Sequence, residues 1–147
     1  MTITPDAPHI VLVEDSDDDF DTVLEAVRLS GLPAHLHRVN NGDECLALLR
    51  CGDTSRPTFV MLDLNTSSTD GHEMLWQIKA DPLLKAIPVV VVTTSANPRD
   101  VDYCYQCGAN AYHVKPVSYP DHLRMLTGLL EYWLVGVLRP GARRLAP

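Results

Sequence analysis

The sequence has few basic residues and no long apolar run. Its 12 lysines and arginines stand against 19 aspartates and glutamates, which gives a formal net charge of -7. A chain of this charge is not expected to bind nucleic acid through a basic surface. None of its apolar runs approaches the roughly 20 residues that a membrane-spanning helix needs. With 147 residues, 46% of them hydrophobic, and no internal repeat, the chain is expected to form one globular domain outside the membrane.

The amino terminus also lacks the features of an export signal. Its first nine residues, MTITPDAPH, contain neither the basic block nor the apolar block of a signal peptide. We therefore expect a cytoplasmic protein in which the four cysteines are reduced thiols. Cys104 and Cys107 have CxxC spacing, but no second pair accompanies them and they lie late in a predicted helix. We expect neither a zinc site nor a redox motif there.

Short apolar segments alternate with amphipathic segments along the chain. The strands are predicted at His9–Glu14, Ala34–Val39, Thr58–Asp63, Ile87–Thr93 and Asn110–Val114. The helices are predicted at Asp17–Ser30, Asp43–Arg50, Gly71–Ala80, from Pro98 to Gly108, and at Tyr119–Leu138. This alternation predicts an α/β domain over residues 9–138, built on a five-stranded, parallel, doubly wound sheet. Residues 1–8 and 139–147 are predicted to be flexible tails.

Polar side chains follow the predicted strands at the points where the strands end. They are Glu14 and Asp15 after the first strand, Asp63 after the third, Thr93 and Thr94 after the fourth, and Lys115 after the fifth. Sheets of this type place their working site beyond the carboxyl ends of the strands. Three carboxylates, two hydroxyls and one ammonium group are therefore expected to meet at one edge of the sheet.

Three carboxylates at one edge repel each other, and a divalent cation would relieve that repulsion. Mg²⁺ suits a site with one or two carboxylates, a backbone carbonyl and room for phosphate oxygens. A carboxylate beside Mg²⁺ can attack a phosphoryl group and form an aspartyl phosphate. The lysine and the hydroxyls would neutralise or hydrogen-bond the incoming oxygens, since phosphoryl transfer depends mainly on positioning and electrostatics.

Four segments in a fixed order resemble the receiver domain of bacterial two-component response regulators. They are VLVEDS, MLDLN with a later DG, VVVVTTS and YHVKP, and the resemblance covers about residues 9–138. It implies a flavodoxin-like sheet with strand order 2-1-3-4-5 and a phosphoacceptor at Asp63. It also implies that Asp15 binds Mg²⁺ directly, that Glu14 binds it through water, and that the main-chain carbonyl of Asn65 completes the metal site.

The same resemblance assigns the switch residues. Thr93 and Lys115 match the switch hydroxyl and the phosphate-binding lysine, and Tyr112 matches the aromatic residue that moves with Thr93. Thr94 matches the position beside the acyl phosphate that controls water access. Two further positions stand out: Pro116 follows the lysine where the family often has a cis peptide bond, and Ser67 stands where proline is common.

The resemblance further implies partners rather than a metabolic reaction. A sensor histidine kinase would donate the phosphoryl group, and the protein would catalyse at most its own phosphotransfer and dephosphorylation. The segments VVVVTTS and LLEYWL look most like those of stand-alone regulators that work with phytochrome-type kinases. Residues 139–147 are too short for an output module, so we expect output through association with a partner or with a second copy.

The predicted fifth helix has an apolar arc wider than one sheet contact can bury, which predicts a homodimer. The interface would use the fourth helix, the fifth strand and the fifth helix, and its expected residues are Tyr103, Met125, Leu129 and Tyr132.

Two other classes of protein share some of these features. An aspartate-nucleophile phosphatase of the haloacid dehalogenase type would have a second acid two residues after the nucleophile, where this chain has Asn65. Its nucleophile would normally follow the first strand. A flavodoxin-like FMN carrier would have a hydroxyl-rich phosphate loop after the first strand, where this chain has EDSDDD. Neither class accounts for Lys115 followed by Pro116.

Overall fold

The computed structural model describes residues 7–51, 56–65 and 71–140. Ser67 and the outer parts of the two predicted tails, residues 1–6 and 141–147, lie outside the described residues. The strands are β1 (His9–Val13), β2 (His35–Val39), β3 (Phe59–Leu62), β4 (Val89–Thr93) and β5 (Ala111–Val114). The helices are α1 (Asp17–Ser30), α2 (Gly42–Arg50), α3 (Gly71–Ala80), α4 (Pro98–Gln106) and α5 (Tyr119–Glu131). The predicted alternation of strands and helices is confirmed.

The five strands form one parallel sheet in the order β2-β1-β3-β4-β5, as predicted. The register pairs Val13 with Leu62 and Thr93 with Val114. Residues that follow these pairs must therefore emerge side by side at the carboxyl edge. Every residue of β3 and β4 is buried, as expected for strands that are covered on both faces.

Helices cover both faces of the sheet. One buried cluster joins β1, β3 and β4 to α2, α3 and α4, through side chains such as Leu46, Met74, Leu75, Ile78 and Cys104. The opposite cluster joins the sheet to α1 and α5, through side chains such as Val23, Ala26, Leu126, Leu130 and Trp133. This is the doubly wound arrangement that the sequence predicted.

Local signals set both ends of α1. Ser16 caps the helix, and its hydroxyl accepts a hydrogen bond from the backbone N–H of Asp19 at 3.2 Å. Gly31 ends it with φ of 69°, a left-handed conformation that favours glycine, and its N–H donates to the Arg28 carbonyl at 3.2 Å. The predicted bounds of this helix are confirmed because these signals are local to the sequence.

The last helix is shorter than predicted. α5 ends at Glu131, and the chain continues as a π-helical turn over Tyr132–Gly136. In that turn Trp133 stays buried, with its ring centroid 5.9 Å from that of Phe59. Arg139 donates from Nη1 to the carbonyls of Trp133 and Leu134, each at 2.8 Å, and so satisfies acceptors at the end of the helix.

Leu129 corrects the prediction about the apolar arc of α5. It is only 4% exposed and belongs to the core cluster with α1, because α1 and α5 pack against each other as well as against the sheet. The arc is therefore wide because it covers two neighbours. None of the described helices is long and apolar enough to cross a membrane. All four cysteines are free thiols.

Candidate functional site

The candidate site lies at the carboxyl edge of the sheet, where β1 and β3 end side by side. Asp63 donates its backbone N–H to the Val13 carbonyl at 3.1 Å, and Glu14 donates its own to the Val39 carbonyl at 3.0 Å. The sheet ladder therefore continues up to both acidic residues. Both side chains are buried, and their mutual hydrogen bond and charge affect the ionisation of Glu14. The sheet places the predicted phosphoacceptor where the sequence expected it.

Lys115 reaches this pair from the segment after β5. Its backbone N–H donates to the Thr93 carbonyl at 2.7 Å, which ties that segment to the end of β4. Its Nζ lies 2.9 Å from Glu14 Oε1, 2.6 Å from Asp19 Oδ2 and 3.0 Å from Asp63 Oδ2. An ammonium group has three N–H donors, so each donor has one carboxylate. Lys115 thus acts as the cation of a buried ion cluster.

Burial and charge oppose each other in this cluster. Burial raises the pKa of the Glu14 carboxyl, and the hydrogen bond and charge of Asp63 raise it further, to about 7, although Lys115 acts to lower it. Burial acts to lower the pKa of Lys115, but hydrogen bonds to Asp19 and Glu14 and the charge of Asp63 outweigh burial and raise that pKa overall. The lysine therefore stays charged, and the carboxylates still exceed it in charge.

Asp19 is the residue of this cluster that sequence reasoning missed. It is one of three acidic residues in the first turn of α1, where the helix dipole favours negative charge, and nothing in the sequence separates it from Asp17 and Asp18. The three carboxylates that gather within 4.8 Å of one another are Glu14, Asp19 and Asp63, and Asp15 is not in that group. Asp15 directly follows Glu14 at the same edge of the sheet, and its metal role stays a prediction.

The donor set fits a magnesium ion. Carboxylate oxygens of Asp63, Glu14 and Asp15 and the carbonyl of Asn65 are the hard ligands that Mg²⁺ prefers. Lys115 lies between Glu14, Asp19 and Asp63, and the Asn65 N–H contacts the other carboxylate oxygen of Asp63. Since the carboxylates exceed the lysine in charge, a divalent cation would bring the site closer to neutrality.

Asn65 joins the loop after β3 to the loop after β4. Its backbone N–H donates to Asp63 Oδ1 at 2.9 Å, which orients the carboxylate. Its side-chain Nδ2 donates to Thr93 Oγ1 at 3.1 Å and to Thr94 Oγ1 at 3.0 Å. Thr93 is fully buried, whereas Thr94 is exposed. Both hydroxyls therefore contact the asparagine that orients Asp63, and their roles toward a phosphoryl group stay predictions.

Tyr112 connects the site to α4. The half-buried ring points its hydroxyl at the Ser95 carbonyl, to which it donates at 2.8 Å. Ser95 in turn donates its own hydroxyl to Asp100 of α4 at 2.5 Å, and its N–H reaches Thr93 Oγ1 at 3.4 Å. Ser95 is thus the link between Thr93 and Tyr112, a role the sequence did not predict. The peptide bonds between described residues are all trans, including that before Pro116, so the cis bond common in the family is not present here.

The four predicted interface residues do not share one surface. Leu129 is buried, and Met125 is half-buried against the core between α1, α5 and the sheet. Tyr103 faces α3, where its ring meets that of His72 at 5.2 Å between centroids. Tyr132 lies beside Ser30 and Leu32 at the end of α1. The sequence pattern could not show which residues these four side chains contact, because those contacts depend on how the helices pack.

Known proteins match this fold and site. The response regulator receiver domain family matches residues 10–127. Response regulator Rcp1 of Synechocystis is 38% identical over 137 residues, which cover 90% of this chain and 93% of Rcp1. A structure of Rcp1 with bound Mn²⁺ superposes with a TM-score of 0.87, covering 91% of this chain and 99% of that one, at 37% identity.

Two further relatives resemble the chain as closely. The phosphorylated cyanobacterial phytochrome response regulator RcpA superposes with a TM-score of 0.88 at 37% identity, covering 92% of this chain and 99% of RcpA. The probable methanogenesis regulatory protein FilR2 of Methanothrix harundinacea is 38% identical over 135 residues, covering 90% of this chain and 87% of FilR2. The fold is that of a receiver domain, and the chain belongs to the response regulator receiver domain family.

Proposed function

We propose that this protein is a response regulator that accepts a phosphoryl group on Asp63 in the presence of Mg²⁺. The observation that carries the proposal is the setting of Asp63: a buried carboxylate beside Glu14, oriented by the Asn65 N–H and 3.0 Å from the Lys115 ammonium. The phosphorylated structure of RcpA and the Mn²⁺-bound structure of Rcp1 support it by similarity. The proposed place of action is the cytoplasm.

The chemistry follows from the positions of these groups. An oxygen of Asp63 attacks the phosphorus atom of a phosphohistidine, the bond from phosphorus to the histidine nitrogen breaks, and that nitrogen keeps the electron pair and takes up a proton. Lys115 and the Thr93 hydroxyl bind the new phosphoryl oxygens. Asp63, Asp15, the Asn65 carbonyl and, through water, Glu14 would hold Mg²⁺, which would supply neutralising charge. Thr94 lies exposed, where its hydroxyl accepts a hydrogen bond from Asn65, and it controls how water approaches the acyl phosphate.

The same groups provide the switch. A phosphoryl group adds roughly one and a half to two negative charges with strong acceptor oxygens. Thr93 then exchanges its contact with Asn65 for one with the phosphoryl group, and Ser95 and Tyr112 follow because they are hydrogen-bonded to one another. The phosphoryl group can shift the equilibrium only as far as it binds the two states differently.

The first test is phosphorylation by a small phosphodonor and by histidine kinases. With Mg²⁺ and acetyl phosphate, we expect one label on Asp63 that hydroxylamine removes, and EDTA should abolish it. We propose a phytochrome-type kinase as donor, since RcpA is a phytochrome response regulator; transfer from such a kinase should exceed transfer from unrelated ones. An acid-stable label on serine or threonine would contradict the assignment. Turnover of a generic phosphate ester would instead favour the haloacid dehalogenase alternative.

We further propose that the protein signals as a homodimer through α4, β5 and α5. In this region Tyr105 is 50% exposed and Val114 is 41% exposed. The Tyr105 hydroxyl accepts a hydrogen bond from the backbone N–H of Tyr112 at 3.2 Å, so this surface is tied directly to the proposed switch. The contacts expected at this interface are therefore Tyr105 and Val114, in place of Tyr103, Met125, Leu129 and Tyr132.

Association should strengthen with beryllofluoride, which mimics the acyl phosphate, by about tenfold, equivalent to about 1.4 kcal/mol. Light scattering over a concentration series measures it. Tyr105→Glu should weaken the dimer by at least a similar factor, because it places a charge in the contact. Tyr132→Glu is the matched control at the end of α1 and should leave the dimer intact. A monomer in both states would end the proposal, and sensitivity to Tyr132→Glu alone would move the interface to that end.

A further inference from the structure

Asp19 makes the shortest contact with Lys115 and has no part in the proposed phosphotransfer. Its Oδ2 lies 2.6 Å from Nζ, compared with 2.9 Å for Glu14 and 3.0 Å for Asp63. Its side chain is 33% exposed, whereas those of its two acidic neighbours are below 10%. Asp19 therefore holds the lysine from the outer side of the cluster.

The position of Asp19 is fixed by the cap of α1. Its backbone N–H donates to the Ser16 hydroxyl at 3.2 Å, and the Ser16 N–H donates to Glu14 Oε2 at 3.3 Å. Asp19 and Glu14 are thus held by the same short segment. Lys115 comes from the opposite side of the site, from the segment anchored to Thr93. The contact between Asp19 and Lys115 therefore crosses from α1 to the segment between β5 and α5.

All three donors of the Lys115 ammonium are occupied before phosphorylation. A phosphoryl oxygen on Asp63 can bind Nζ only if one of these contacts is given up. Glu14 and Asp63 lie at the reacting centre, whereas Asp19 lies outside it. If Asp19 holds the ammonium group, Lys115 can exchange a contact with Glu14 or Asp63 for one with a phosphoryl oxygen and still stay in place. Without Asp19, Nζ would be drawn onto Glu14 and Asp63, the groups from which the phosphoryl oxygen must displace it.

We propose that Asp19 is a positioning residue that holds Lys115 in the geometry needed to bind the phosphoryl group. This inference rests on the proposed function, because it takes Lys115 as the group that binds the phosphoryl oxygens. It predicts that the hydrogen-bond acceptor at residue 19 matters more than the charge there. Removing a negative charge by itself would favour an incoming anion, so the two effects have opposite signs.

The test compares the affinity for beryllofluoride in Mg²⁺ of wild type and three variants, measured by titration calorimetry. Asp19→Ala should bind beryllofluoride about tenfold more weakly, as expected for loss of a charge-assisted hydrogen bond that orients the lysine. Asp19→Asn retains an oxygen that can accept from Nζ and should stay within about threefold of wild type. Asp18→Ala removes the same charge from the same helical turn at an exposed position and should match wild type. Equal, tighter binding by the Ala and Asn variants would show a charge effect only and overturn the inference.

A second comparison separates positioning from metal binding. In a Lys115→Met background, Asp19→Ala should cause no further loss in the rate of labelling by acetyl phosphate. A loss that persists there, or Mg²⁺ affinity about tenfold lower in both Asp19 variants, would make Asp19 a metal ligand instead. If wild type itself neither binds beryllofluoride nor labels on Asp63, the proposed function fails. If wild type does both and Asp19→Ala behaves like wild type, only this inference fails.

Discussion

Replacing Asp63 with asparagine is expected to lower the rate of labelling by acetyl phosphate by roughly three orders of magnitude or more, since a covalent nucleophile is lost. The amide nitrogen of asparagine is not nucleophilic, while the side chain keeps the size and shape of the buried aspartate. The measurement is incorporation of labelled phosphate in Mg²⁺, with the modified peptide identified by mass spectrometry. Appreciable label on the Asp63→Asn variant would mean that another residue accepts the phosphoryl group.

A second variant distinguishes loss of the nucleophile from a general folding defect. Asp15→Asn should also label poorly, but raising the Mg²⁺ concentration should recover part of the rate, because the nucleophile is still present. The Asp63→Asn variant should not recover at any Mg²⁺ concentration. It should be at least as stable as wild type in EDTA, since Glu14 then loses a buried neighbour that disfavours its ionisation. Equal recovery of the two variants would contradict the separate roles assigned to Asp15 and Asp63.

Replacing Lys115 with methionine is expected to destabilise the metal-free protein by roughly 3 kcal/mol near pH 8, as for removal of one partner from a buried ion cluster. The lysine side chain is 7% exposed and faces three carboxylates. Thermal or urea unfolding in EDTA measures the change. An added excess of Mg²⁺ should reduce the deficit, because the ion supplies the charge that the lysine had supplied. Lys85→Met, at an exposed position, should have little effect.

The pKa of Glu14 determines how the stability deficit of the Lys115→Met variant changes with pH. Lys115 lowers the pKa of Glu14, so its removal raises that pKa further above the ordinary value of 4.5. A carboxyl with a raised pKa binds its proton more tightly in the folded protein, so stability falls as pH rises from 4.5 through the folded-state pKa. The deficit of the Lys115→Met variant should therefore be smaller near pH 5 than near pH 8. Equal deficits at the two pH values, unaffected by Mg²⁺, would show that Lys115 is not paired as described.

The sequence predicted those features that depend on local signals or on strand direction. Ser16 and Gly31 bound α1 through contacts within a few residues, and parallel strands bring Glu14 and Asp63 together by their carboxyl ends. The sequence could not distinguish Asp19 from Asp17 and Asp18, because the contact of Asp19 with Lys115 depends on the rotation of α1 relative to the β5–α5 segment. Leu129 was misplaced for a similar reason, since only the packed structure shows that α1 covers α5.

The register of β1 and β3 has a mechanical consequence for Glu14 and Asp63. Val13 and Leu62 are paired across neighbouring parallel strands, and each acidic residue follows one of them directly. Neighbouring strands lie roughly 4.8 Å apart in any sheet. Because this spacing is set by the backbone ladder, rearrangement of a loop cannot move the backbones of the two acidic residues apart. The receiver therefore holds two carboxylates close together at the ends of β1 and β3. Their repulsion can be relieved by a proton, by an ammonium group or by a metal ion.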